Sequence, residues 1–113
     1  MIKKSLKQKV ECDIPLYSAK DNWRGRLSLP PNKTYQLLID YPFSKEKVFN
    51  IKTTSKGLDL VSLVPLIHKS YIKKFKLAEK DDEDDYWHSI DDLVIEAIYV
   101  NHKTKKITLD IGS

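Results

Sequence analysis

The residue types best suited to chemistry form one aromatic–histidine–acid group, Tyr86-Trp87-His88 followed by Asp91 and Asp92. A histidine can transfer a proton near neutral pH, a carboxylate can orient its ring, and an aromatic side chain can supply an apolar wall. An enzyme that acts through His88 is therefore one hypothesis. Catalysis would normally also need a nucleophile or a metal, and no motif places one. The simpler interpretation is structural, with Trp87 closing the core and His88 bonded to a neighbouring acceptor.

Other reactive residue types lack the spacing of a known site. The three histidines and the single cysteine form no H-x-x-x-H or C-x-x-C pair. The acidic run at residues 81–85 lacks the glycine and the alternating ligands of a calcium loop. Cys12 lies between two acidic residues, which disfavour its thiolate, so it is interpreted as a buried structural residue. The sequence predicts no metal site, no cofactor and no catalytic residue.

The acidic run leads directly into the aromatic group, and this juxtaposition is the basis of the leading functional hypothesis. Consecutive carboxylates repel one another and favour an exposed loop. Such charges speed the encounter with a basic partner, and a neighbouring aromatic ring can anchor it. The sequence predicts a non-catalytic protein-binding domain of inhibitor, immunity or adaptor type with a basic protein partner. The residues expected at its surface are Asp82, Glu83, Asp84, Asp85, Tyr86, Trp87 and His88.

Nucleic-acid binding is the alternative hypothesis, because lysines are concentrated in two segments. Residues 69–80 contain five lysines and one acid, and residues 1–9 contain four lysines and no acid. Such cations can contact phosphates. The contact residues expected on this hypothesis are Lys69, Lys73, Lys76 and Lys80, together with the N-terminal tail. The acidic run that follows would repel a polyanion, so the protein-binding hypothesis ranks first.

Composition and charge restrict the class of protein. The chain has 113 residues, of which 41% are hydrophobic and 32% charged, with a net charge of +4. This size predicts a single domain spanning residues 1–113, with residues 1–9 as a flexible basic tail or as the lead into a first strand. No apolar run approaches the length of a membrane span, no secretory signal is present, and one cysteine excludes an internal disulfide. These features predict a cytoplasmic protein with no membrane contact.

Two hydrophobic periodicities predict the elements that position these residues. Alternating apolar and polar residues predict strands over residues 10–17, 23–29, 33–41 and 47–53, and a C-terminal hairpin from residues 93–100 and 107–111. Asn101, which tolerates a left-handed backbone, begins the hairpin loop. Pro15 places the first strand at an edge or ends it. Such an edge could pair with another chain, so a monomer and a homodimer are both open.

A change to helical spacing separates the two groups of strands and predicts one helix, over residues 60–78. Either Asp59 or Ser62 could cap it, and with Asp59 as the cap Pro65 would lie deeper and would bend or delay the helix. The apolar stripe has to pack on a sheet. The sequence thus predicts an α+β fold, in which a mostly antiparallel sheet of four to five strands packs against one long helix. The residues of the stripe are Leu60, Leu63, Val64, Ile67, Tyr71 and Phe75.

Residues 56–71 and 87–96 carry a partial resemblance. The chain resembles a group of small uncharacterised proteins in which a glycine-containing turn leads into a helix that ends near a tyrosine. In that group an acidic loop then leads through a Trp-Gly-His-like entrance into a strand with the pattern D-L-V-x-E. Here the entrance is Tyr86-Trp87-His88, without the glycine. The group has no established function, so the resemblance implies the fold and no mechanism.

Overall fold

The computed structural model describes residues 7–16, 27–41, 43, 45–80 and 92–112. The elements in these ranges are, in chain order, β1 (Lys7–Pro15), β2 (Ser28–Leu29), β3 (Thr34–Ile39), β4 (Lys47–Lys52), β5 (Leu58–Asp59), α1 (Leu60–Lys80), β6 (Val94–Asn101) and β7 (Lys106–Gly112). Five strands form the main sheet in the order β1-β6-β7-β3-β4, and β2 pairs with β5 separately. All neighbours in the main sheet are antiparallel except β3 and β7, which are parallel. The predicted α+β architecture is confirmed.

The helix forms because one face of residues 60–78 is continuously apolar. Its stripe packs against β3 and β4, and four of its members, Leu63, Val64, Ile67 and Tyr71, are 0% exposed. The side chain of Asp59 caps the N-terminus, since the Ser62 N–H donates to Asp59 Oδ1 at 2.9 Å. This hydrogen bond lowers the pKa of the Asp59 carboxyl. Asp59 rather than Ser62 is therefore the cap, and α1 starts at Leu60 without delay although Pro65 lies inside it.

Both predicted hairpins are present. Strand β3 pairs with β4 from Thr34 to Ile39, and β6 pairs with β7 through a polar turn. In that turn the Asn101 side-chain oxygen accepts hydrogen bonds from the N–H groups of Lys103 and Thr104. The left-handed residue is Lys105, with φ of 56°, and not Asn101 as its type suggested. Asn101 stabilises the turn through its side chain and not through its backbone conformation.

The first strand begins earlier than its hydrophobic alternation indicated. Lys7, Gln8 and Lys9 pair with β6, which agrees with the interpretation of this segment as the lead into a first strand. Residues 1–6 lie outside the described ranges. Strand β1 is at an edge of the sheet and ends at Pro15, as predicted. Of the strand predicted over residues 23–29, only residues 27–29 are described, and β2 accounts for two of them. None of the described residues forms a helix that is long and apolar enough to span a membrane.

Candidate functional site

The main sheet has one face covered by α1 and one face over which no described helix or strand lies. Alternation assigns the side chains: Tyr35, Leu37 and Ile39 of β3 point inward and are 0–1% exposed. The residues between them, Gln36 and Leu38, point to the other side, where Gln36 is exposed and Leu38 half-buried. We call this second side the outer face. It is open to a partner in the described structure.

Cross-strand register arranges the outer face in rows that run perpendicular to the strands. The first row consists of Lys7, Asn101, Lys106, Gln36 and Asn50. The second contains Lys9, Tyr99 and Thr108, and the pair Leu38 and Val48 continues it on the other two strands. The third contains Glu11, Ala97 and Asp110. Basic, then aromatic and apolar, then acidic groups therefore follow one another along the strand direction.

The basic row belongs to a larger cluster at one end of the sheet, where β1, β3 and β7 begin and β4 and β6 end. We call it the lysine end. The described residues there, 7–9, 33–36, 50–56 and 101–108, include no Asp or Glu. All of its lysine side chains are exposed except Lys105, which is half-buried. Lysines predominate at this end, although Lys9 also forms an ion pair with Glu11 at 3.2 Å, so the lysine end has a positive potential that attracts polyanions. Its lysines are Lys7, Lys9, Lys33, Lys52, Lys56, Lys103, Lys105 and Lys106.

Tyr99 is the aromatic residue of the outer face, and its polar contacts hold its ring in place. Its hydroxyl donates to Asp110 Oδ2 at 2.7 Å, and this hydrogen bond raises the pKa of Tyr99. The Lys9 ammonium lies 5.5 Å from the ring centroid and 3.2 Å from Glu11 Oε1. The hydrogen bond to Glu11 raises the pKa of Lys9. A cation is therefore held over the ring of a neutral phenol on the sheet.

A shallow hollow lies beside Tyr99 and reaches toward the lysine end. Its volume is about 410 Å³, and its lining includes Lys7, Lys9, Asn101, Lys106 and Thr108. The hollow spans β1, β6 and β7, so three strands fix its shape. Its volume lies in the lower part of the range of small-molecule sites, roughly 300–1,000 Å³. It offers ammonium and hydroxyl groups next to an aromatic ring.

A partly buried hydrogen-bond chain supports the lysine end. The Tyr35 hydroxyl lies 2.7 Å from His102 Nδ1, and His102 Nε2 lies 2.8 Å from Gln8 Oε1. Both contacts are satisfied when Tyr35 donates to Nδ1 and Nε2–H donates to Gln8. The chain connects β3, the β6–β7 turn and β1, which are far apart in sequence. It therefore fixes the relative positions of the lysines on these three elements.

The residues predicted for protein binding, Asp82, Glu83, Asp84, Asp85, Tyr86, Trp87 and His88, lie outside the described residues. Asp91 of the same aromatic–histidine–acid group also lies there. The protein-binding surface and the hypothesis of an enzyme acting through His88 therefore stay predictions. None of their geometry contributes to the surface described above.

The lysines predicted for nucleic-acid contact lie on the helix. Lys69, Lys73 and Lys76 are exposed on α1, and Lys80 is its last residue, with a side chain outside the described set. Their side of the helix points away from the sheet, so it does not adjoin the outer face. Lys74 of the same segment differs: it is 4% exposed, and its ammonium lies 4.7 Å from the Phe43 ring centroid. Lys69, Lys73 and Lys76 therefore share an exposed side of the helix from which Lys74 is excluded, and the nucleic-acid contact predicted for this side stays a prediction.

The remaining reactive side chains are bound locally. His68 is half-buried, and its Nδ1 contacts the carbonyl oxygen of Leu16, which agrees with its position beside the apolar stripe. Within the described ranges, no three His, Cys, Asp or Glu side chains form a group that could hold a metal ion. The outer face and its lysine end are therefore the distinctive surface of the described structure.

No protein-family model, curated protein or solved structure matches this chain. A function consequently has to be inferred from the geometry and charge of the surface itself. Sequence reasoning missed this surface because its lysines come from four separate segments. The signal that could have found it is parity, since Lys7 and Lys9 share one face of β1 and Lys106 and Thr108 share one face of β7.

Cys12 is expected to react slowly with alkylating reagents in the folded protein. It is half-buried, and its Sγ–H donates to the Ile95 carbonyl oxygen at 3.3 Å. Burial, and to a smaller extent the charge of Asp13, raises the thiol pKa to about 11. The thiol is therefore neutral near pH 8, and the alkylation rate should still increase about tenfold per pH unit from there. Iodoacetamide labelling followed by mass spectrometry measures this.

The matched control for Cys12 is the same protein in guanidinium chloride. There the rate should level off as the pH passes the ordinary thiol value, about 8.5. Circular dichroism at each pH confirms that the protein without guanidinium chloride is folded. A plateau near that pH in the folded protein would contradict the raised pKa.

Proposed function

We propose that this protein is a non-catalytic nucleic-acid-binding domain that holds the nucleic acid across the outer face of its sheet, with phosphates at the lysine end. The observation that carries the proposal is the segregation of charge. Lysines from β1, β4, β7 and the adjoining turns converge on one end of the sheet, where the described residues include no acid. Binding to phosphates releases counterions, which favours such a surface.

The shape of the basic surface supports a linear polyanion. The strands of the main sheet lie about 4.8 Å apart, so the lysine end extends over roughly 19 Å from β1 to β4. Lys7 lies near one end of this strip, Lys106 in its middle and Lys52 at the other end. A nucleic-acid strand carries charges at regular intervals along its length and can contact all three positions at once.

The acidic groups of the outer face determine which part of the face the nucleic-acid backbone can occupy. Glu11 and Asp110 form the third row, on the far side of Tyr99 from the lysine row. They repel phosphates and so restrict the backbone to the lysine end. The proposal places the protein in the cytoplasm, as composition predicts, and is compatible with a monomer or a homodimer.

The proposal predicts that charge reversal on the outer face weakens binding more than the same reversal on α1. The full chain is titrated against fluorescently labelled RNA and DNA oligonucleotides at several salt concentrations, and anisotropy gives Kd. Lys52→Glu/Lys106→Glu should raise Kd by about tenfold at low salt. It should also reduce the slope of log K against log salt by about 0.7 for each phosphate of a single strand that the variant no longer neutralises.

The matched control is Lys69→Glu/Lys73→Glu, which changes the net charge equally on exposed helix positions. This variant should shift Kd by no more than about twofold through the long-range field. If it loses binding while the sheet variant keeps it, the interface is the helix predicted from the lysine run, and the outer face is wrong. Absence of salt-dependent binding to RNA and DNA at low ionic strength would overturn nucleic-acid binding altogether.

A further inference from the structure

We infer that the outer face takes single-stranded nucleic acid, with one unpaired base stacked on the ring of Tyr99; this inference rests on the function proposed above and names its substrate class. A surface of lysines alone would bind single strands and duplexes by charge. The outer face adds an aromatic ring one row from those lysines. The distinction between the two forms of nucleic acid depends on that ring.

The orientation of the Tyr99 ring suits stacking. Its cross-strand neighbour on β7 is Thr108, but its hydroxyl reaches Asp110, the next outward residue on that strand. The ring therefore leans along the sheet and does not stand upright on it. Tyr99 is half-buried, and the Lys9 ammonium lies over its ring, 5.5 Å from the centroid, so a base stacks on the ring in place of this ammonium or on the opposite flat face. The hydrogen bond to Asp110 holds the ring in this orientation before a ligand arrives.

The neighbours of Tyr99 suit the other parts of a nucleotide. The Lys9 ammonium lies over the ring, and Lys106 lies at the next outward position of β7 from Thr108. Two residues along a strand span about 7 Å, so a base on the ring leaves its phosphate within reach of the lysine row. Gln36 and Asn50 are exposed amides in that row and can donate to and accept from base edges.

The apolar residues in the row of Tyr99 extend the surface on which bases can stack. Leu38 is half-buried and its partner Val48 is 45% exposed, so apolar surface continues from Tyr99 across the sheet toward β4. Unpaired bases expose flat apolar faces that can cover such a surface. In a duplex these faces are stacked on one another and only the groove edges and phosphates are accessible. The outer face therefore matches a strand whose bases are unpaired.

The experiment uses the full chain with three probes: a mixed-sequence single-stranded oligonucleotide, the same strand annealed to its complement, and inorganic polyphosphate, which has charges but no bases. At one salt concentration the protein should bind the single strand at least about fivefold more tightly than the duplex. Tyr99→Ala should weaken single-strand binding at least about fivefold, the lower limit of a base–aromatic stack. Duplex and polyphosphate binding should change by less than about twofold.

Two further variants separate stacking from packing. Tyr99→Phe keeps the ring and should retain the preference for single strands, whereas Tyr99→Leu keeps apolar bulk without an aromatic face and should lose it. Circular dichroism and thermal unfolding show whether each variant is folded. Equal binding of single strand and duplex, unaffected by Tyr99→Ala, would overturn the stacking inference and leave the proposed function standing. An equal loss of all three probes in Tyr99→Ala would also overturn it. Failure of the unaltered protein to bind any probe would overturn the proposed function.

Discussion

Tyr71→Ala is expected to lower the free energy of unfolding by roughly 3–5 kcal/mol, the range found when a large aromatic side chain is deleted from a core. Tyr71 is 0% exposed on the inner side of α1. Its ring centroid lies 6.3 Å from that of Phe43 and 6.5 Å from that of Phe75. Native proteins have a total stability of about 5–15 kcal/mol, so this loss would be a substantial fraction of it. Urea unfolding followed by circular dichroism measures the change.

Tyr71→Phe is the matched control, because it keeps the ring and removes only the hydroxyl. That hydroxyl donates to the Tyr41 carbonyl oxygen at 2.9 Å. Its loss should cost about 1 kcal/mol, the usual net contribution of one hydrogen bond. Equal losses for the two variants would show that the hydroxyl and not the ring stabilises this part of the core. A loss below about 2 kcal/mol for Tyr71→Ala would contradict its position between helix and sheet.

The parts of the fold that depend on local sequence were predictable. The helical stripe, the β3–β4 hairpin and the β6–β7 hairpin each form from residues close together in the chain, and periodicity reveals which of their faces is buried. The choice of cap was not predictable, because Asp59 and Ser62 both have suitable side chains. The structure decides it through one hydrogen bond, in which the backbone N–H of Ser62 is the donor.

The candidate surface could not be predicted, because it depends on pairing between distant segments. The parallel pairing of Gln36 with Lys106 brings β3 beside β7, and β4 then follows with Lys52. On the other side β6 brings Lys7 to the same end. In the sequence these lysines resemble isolated solvated charges. The nucleic-acid contact was predicted instead for the concentrated lysine run at residues 69–80, which lies on α1, on the opposite side of the sheet from the outer face.

Lys74 shows how a charge run can mislead at the level of one residue. It follows Tyr71 by three positions and Ile67 by seven, so helical geometry places it at the border of the buried stripe. Its long aliphatic stem can pack on apolar neighbours, and its ammonium lies near the Phe43 ring. By composition Lys74 belongs to a run of exposed lysines, whereas its position relative to the apolar stripe of the helix indicates that it is buried. The angular position of a lysine around the helix axis is therefore the better guide to whether a ligand can reach it.

The direction of charge along the strands links the fold to the proposed function. The β6–β7 turn lies at the lysine end together with the first residues of β1 and β3 and the last residues of β4, so lysines from all of these segments accumulate there. The hydrogen-bond chain from Tyr35 through His102 to Gln8 connects three of these elements. A rigid array of cations loses less entropy on binding than mobile side chains on a flexible segment would. The fold thus contributes both the position and the order of the basic groups.

Gly57→Ala is expected to destabilise the protein. A left-handed backbone costs a residue with a side chain roughly 1–3 kcal/mol, and this cost is the minimum expected loss in the free energy of unfolding. Gly57 has φ of 83°, and an added Cβ would lie 2.4 Å from the Leu29 carbonyl oxygen. That oxygen belongs to the backbone of β2, which pairs with β5 immediately after the glycine. The steric overlap should add to the conformational cost, because relieving it requires the two short strands to separate. Urea unfolding measures the total.

Gly112→Ala is the matched control, since it adds the same methyl group in β7. There the added Cβ would lie 2.4 Å from Glu96 Oε1, the far end of a flexible side chain that can rotate away. This variant should lose less than about 1 kcal/mol, because rotation of the Glu96 side chain relieves the overlap without moving the backbone. Gly57 also closes the turn in which its N–H donates to the Thr54 carbonyl oxygen at 3.0 Å, next to Lys56 of the lysine end. Gly57→Ala should therefore also weaken the proposed nucleic-acid binding. Equal free energies of unfolding for Gly57→Ala and Gly112→Ala would contradict the expected strain, because they would show that the turn tolerates a side chain.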